Sequence, residues 1–102
     1  MNRKEANNLS EQISTLAKTE KKLAGAKTSV KLVEDMQGNV TEGIVWMSVR
    51  DERSGNGACH EFRGVAPSVA EIIAAAEKMN ATLARKAKEQ RAEASAIRAD
   101  AR

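Results

Sequence analysis

The sequence predicts an α+β fold in the order helix, three-stranded antiparallel meander, long helix. Three observations carry this: apolar residues recur at helical spacing before residue 25 and again after residue 68, they alternate with a period of two between residues 28 and 63, and glycine-rich turns separate these segments. A chain of 102 residues has room for one core, so 1–102 is read as a single domain. That core is thin. Leu, Ile, Val and Phe together supply eighteen residues, and only Trp46 and Phe62 are aromatic.

The first helix is placed at residues 3–24. Leu9, Ile13, Leu16 and Leu23 follow one another at steps of four, three and seven, which puts them on one face. Asn2 with Glu5 three positions later has the form of a reciprocal N-terminal cap, and Gly25 suits a left-handed stop. The sheet is placed at 28–63. Val30 and Leu32 lead to a turn at Gly38-Asn39, Val40–Arg50 forms the second strand, and a turn at Ser54-Gly55-Asn56-Gly57 leads into a short strand from Ala58 to Arg63. In the second strand Ile44 and Trp46 point one way while Val45, Met47 and Val49 point the other, so the strand is expected at the centre of the sheet. Trp46 is read as a core anchor.

The last helix is placed at 68–99. Ser68 and Glu71 have capping-box spacing, with Pro67 and Ile72 placed for a hydrophobic staple. The apolar or small stripe then runs Ile72, Ala76, Met79, Leu83, Ala87, Gln90, Ala94, Ile97. Residues 69–99 as one helix span about 46 Å at 1.5 Å per residue, against a radius of gyration of about 13 Å for a compact chain of this size. The distal part must therefore project. Beyond Leu83 the stripe weakens to alanines, Gln90 and Ile97, too little to be stable without a neighbour.

Charge is segregated along the chain. Residues 1–27 hold six basic and three acidic side chains, residues 28–77 four and eight, residues 78–102 seven and three, so an acidic sheet lies between basic helical ends. Such a pattern suits a head-to-tail homodimer or an acidic partner. Arg85, Lys86, Lys88, Arg91 and Arg98 form a basic stretch, but Glu89 and Glu93 lie within it and reduce the charge available to neutralise phosphates.

Catalytic and metal chemistry has little to stand on in these residues. Cys59 and His60 are the single thiol and imidazole, and consecutive residues of a strand point to opposite faces, which separates nucleophile from base. They are read as a half-buried thiol and a surface histidine. A zinc site normally takes three or four Cys or His ligands, so no metal and no cofactor are expected. Gly55-Asn56-Gly57 lacks the Lys-Ser/Thr of a phosphate loop and leads into a strand. The acidic pairs Glu34-Asp35 and Asp51-Glu52 are read as solvated strand ends. The polar opening residues, the lone cysteine and the absence of a long apolar run lead to the expectation of a cytoplasmic protein that is not an enzyme.

The element order resembles that of double-stranded RNA-binding domains, in which two helices cover one face of a three-stranded sheet. Those domains place lysines at the start of the second helix to contact phosphates. Here that position reads Ser68-Val69-Ala70-Glu71-Ile72, so the activity is not carried over.

The function expected is binding of a macromolecular partner, a host protein or nucleoprotein complex, by occupation of its surface. In type the chain is similar to the small inhibitors encoded by phages and mobile elements, including anti-defence proteins such as anti-CRISPRs. The alternative is a nucleic-acid-binding accessory protein using the basic helices. Partner or dimer contacts are placed on Met79, Leu83, Arg85, Lys86, Lys88, Arg91 and Ile97, where the last helix leaves the sheet.

Overall fold

Local periodicity does set the element order. The computed structural model describes the backbone of residues 1–100 and the side chains of residues 1–96. It runs α1 (Arg3–Thr19), a 3-10 turn (Lys21–Leu23), β1 (Lys27–Glu34), β2 (Val40–Arg50), β3 (Gly57–Phe62) and α2 (Val69–Asp100). The three strands form one antiparallel sheet with β2 in the middle, as its apolar residues on both faces require.

Both ends of α1 follow from side-chain chemistry, but the C-terminal end differs from expectation. Asn2 and Glu5 cap the helix reciprocally: the Glu5 amide donates to Asn2 Oδ1 at 2.8 Å, and the Asn2 amide to Glu5 Oε1 at 3.4 Å. The helix was expected to reach residue 24 and instead ends at Thr19, with Glu20 extended. Leu23 explains the break. Continued as a helix, the chain would carry Leu23 onward along the α1 axis. The turn folds it down to complete burial in the core, which stabilises by about 1.5–3 kcal/mol. Gly25 does adopt the left-handed conformation, at φ 77°, but it follows the 3-10 turn.

Sheet register decides which residues meet the helices. Val45 pairs with Val30 and Phe62, and Met47 with Thr28 and His60. This face carries the core: Val45 and Met47 pack with Ala6, Leu9 and Ile13 of α1, Leu23, and Ile72, Ala76 and Met79 of α2. Helix α1 lies over β1 and β2, and α2 mainly over β3. At Gly43 the N-terminus of α1 comes down so closely that a Cβ would stand 2.9 Å from the Met1 carbonyl oxygen. Only glycine leaves room there, and its amide donates to that same oxygen.

Both helices sit on one side, so the second sheet face is covered by no other element among the described residues. Ile44 and Trp46 lie on it. Ile44 is buried, while Trp46 is half-buried and stands outside the core cluster. Trp46 is therefore a residue of the open face rather than a core anchor. The same parity reverses the expectation for β3: Cys59 is exposed on the open face, and His60 turns toward the helices, its ring 4.7 Å from that of Phe62. The expected separation of thiol from imidazole holds.

Helix α2 starts where the Glu71 amide donates to Ser68 Oγ at 3.2 Å. It continues for 32 residues, about 48 Å. The radius of gyration is 17.5 Å and the longest dimension 64 Å, well beyond a compact chain of this length. The distal helix projects.

Candidate interaction surface on the long helix

Where α2 leaves the sheet, burial falls away by steps. Ile72 and Ala76 are fully buried and Met79 is 3% exposed. Leu83 and Ala87 are half-buried, and every residue from Lys88 to Ala96 is exposed. Met79 was expected at a partner or dimer contact. It lies in the protein's own core, in the part of the stripe before Leu83 that is apolar enough to be held on the sheet, and Leu83 packs against that core beside it. The side chain of Ile97 lies outside the described residues.

Hydrogen bonds hold the helix to the β2–β3 turn after apolar contact has thinned. Lys86 Nζ donates to the Gly57 carbonyl at 2.9 Å. Asn56 and Gln90 exchange amide hydrogen bonds at 3.2 and 3.3 Å. The turn is itself ordered by Asp51, whose carboxylate accepts from Ser54 Oγ at 2.9 Å and from the Arg53 amide at 3.1 Å. Those two donors favour the ionised form and lower the Asp51 pKa from its ordinary 3.8. Gly55, at φ 75°, supplies the left-handed residue that lets the turn close. On the other flank the Lys22 carbonyl accepts from Asn80 Nδ2 at 2.9 Å, and Lys22 pairs with Glu77. That carboxylate raises the Lys22 pKa. The root of the projecting arm is thus clamped on two sides.

The predicted basic residues divide accordingly. Lys86 serves the clamp. Arg85 faces Glu89 one turn on at 3.8 Å, an exposed pair contributing at most a few tenths of a kcal/mol. Lys88 and Arg91 are exposed and make no ion pair with another described residue. Arg85, Lys88 and Arg91, three residues apart, form a cationic ridge that flanks the clamp residues Lys86 and Gln90.

Sequence reasoning did not assign two features. The clamp joins Lys86 to a main-chain carbonyl 29 residues away and Gln90 to a side chain 34 residues away, and no local pattern announces such a pair. Trp46 on the open face, with Ser29 and Glu61 as its register neighbours, was legible as one of two apolar faces, but not as the uncovered one. Among the described residues no three Cys, His, Asp or Glu side chains are grouped to hold a metal, and no helix is long and apolar enough to cross a membrane. No family model, curated protein or solved structure matches the chain.

Proposed function

We propose that this chain is a non-enzymatic binding protein that acts by occupying the surface of a macromolecular partner, with the distal part of α2 as its contact arm. In type it stands with small phage or mobile-element inhibitors of host proteins, the anti-defence and anti-CRISPR kind. One observation supports this above the others: a helix clamped at Lys86 and Gln90 leaves residues 88–96 exposed. An ordered arm loses less conformational entropy on binding than a free segment. The occupant is a partner protein, or a second copy in a homodimer that meets head to tail through opposite charges.

The test is capture from host lysate with and without nuclease. The expected result is nuclease-resistant recovery of a discrete protein by the whole chain, and its loss when residues 88–102 are removed. Equal recovery by the shortened chain would defeat the reading.

A second reading, nucleic-acid binding by the helical ridge, draws on the exposed Lys88 and Arg91. It requires DNA or RNA affinity that falls steeply with salt and disappears on charge reversal at Arg85, Lys88 and Arg91.

A further inference from the structure

The outer edge of β3 differs from that of β1. The Asp51 amide donates to the Asn56 carbonyl, and antiparallel pairs alternate between exchanging and not exchanging hydrogen bonds. Counting from that bond, Val49/Ala58, Met47/His60 and Val45/Phe62 are the bonded pairs. Gly57, Cys59 and Glu61 therefore turn their main-chain N–H and C=O groups away from β2. Lys86 confirms the parity independently, since the carbonyl it meets is that of Gly57. A basic side chain thus caps one end of the free edge, a common protection against strand pairing. Among the described residues, the amides and carbonyls of Cys59 and Glu61 have no such cover.

Beside this edge an open groove of about 760 Å³ lies between α2 and the paired strands β2 and β3, lined on the sheet side by Val49 and Arg50 of β2 as well as by β3. Ala58, Met79 and Thr82 contribute to its apolar wall, with Lys78, Lys86 and His60 among its polar residues. Arg50 also lines it, and no carboxylate among the described residues does. An open strand edge beside a helix is the arrangement in which extended peptides add as a further strand, with backbone bonds giving affinity and alternate side chains giving selectivity.

We propose that β3 is a strand-addition site for an acidic extended peptide segment of a partner protein. The segment exchanges hydrogen bonds with Cys59 and Glu61. Its alternate carboxylates face Lys78, His60 and Lys86. The charge of the groove selects this occupant: Arg50, Lys78 and Lys86, with no carboxylate among the described lining residues, disfavour a basic or neutral strand and favour an acidic one. This site shares Lys86 with the clamp at the root of the distal arm, but the arm's own contact residues, 88–96, are no part of it.

The test uses a labelled synthetic peptide of alternating Thr and Glu, seven residues long, followed by fluorescence anisotropy and by amide exchange of the whole chain. Saturable binding is expected, with exchange slowed at Cys59 and Glu61 and unchanged at His60 and Phe62, which already bond to β2. Lys78→Glu weakens binding by about tenfold; Lys78→Gln weakens it less, and Arg91→Glu leaves it unchanged. Both positions are exposed, so these variants keep the fold. The matched peptide with Lys in place of Glu does not bind. Nor does one with Pro in place of Thr, which keeps the charge but loses main-chain donors. Several results would overturn the proposal: no binding, equal binding of the Pro peptide, slowed exchange at Thr28, Val30 and Leu32 on the β1 edge instead, or loss through Arg91→Glu rather than Lys78→Glu. None of these bears on capture through the distal arm, so the two readings fail separately.

Discussion

Residues 69–83 and 84–96 belong to one unbroken helix with a single stripe, yet the first part is held by burial and the second by polar contacts at its root. In the proximal part Ile72, Ala76 and Met79 are sealed against the sheet. In the distal part Ala87 is half-buried, Gln90 is bonded to Asn56, and the residues from Lys88 to Ala96 are exposed. The periodicity continues while the volume of the side chains falls. A helical pattern therefore specifies which face turns inward, but the size of the residues on it decides whether a neighbour is held there.

The largest effect should come from emptying the proximal stripe. Met79→Ala is expected to cost about 2–5 kcal/mol in denaturant unfolding, whereas Glu93→Ala on the arm should stay within about 0.5 kcal/mol. Similar costs at the two positions would erase the distinction between the halves. Leu83→Ala probes the border and should cost about 1–2 kcal/mol, in proportion to its partial burial. A cost as large as that of Met79→Ala would move the border outward by a turn.

Gln90→Ala is expected to change global stability by no more than about 0.5 kcal/mol, but to speed amide exchange in residues 88–96 relative to residues 72–80. Unchanged exchange would mean that the bonds to Asn56 do not hold the arm. The smallest effect concerns pH. The carboxyl of Asp51 titrates below 3.8 in the folded chain because Ser54 and the Arg53 amide donate to its ionised form. Its support for the turn is complete above the unfolded value and is lost as pH falls through the folded one. The difference in Tm between the parent and Asp51→Asn should therefore be constant from about pH 7 to pH 5 and shrink below about pH 4. A difference that grew on acidification would contradict the role given to the carboxylate.

Much of the architecture was open to reading because its determinants are local. The Asn2–Glu5 cap, the strand alternation around Val45 and Met47, the turn glycines Gly38 and Gly55, and the Ser68 cap each depend on residues a few positions apart. The end of α1 was not legible. Leu23 keeps helical register with Leu16, and only the presence of α2 makes it worthwhile for the chain to turn at Glu20 and bring Leu23 into the core. The candidate contacts divided in the same way. Arg85, Lys88 and Arg91 lie exposed on the helix, Met79 lies in the core, and the groove beside β3 had no signal in the stripe that points at it.

Taken alone, the sequence determined the element types, their order, the centrality of β2 and the excess length of α2, because periods of 2 and 3.6 and the capping spacings are properties of neighbouring residues. It also presented two apolar faces on β2 without ranking them. Tertiary structure made that choice by placing both helices on the side of Val45 and Met47, leaving Trp46 on the open face and the edge of β3 beside a basic groove. Which face is covered depends on where segments far apart in the chain come to rest, and that is a matter of long-range packing.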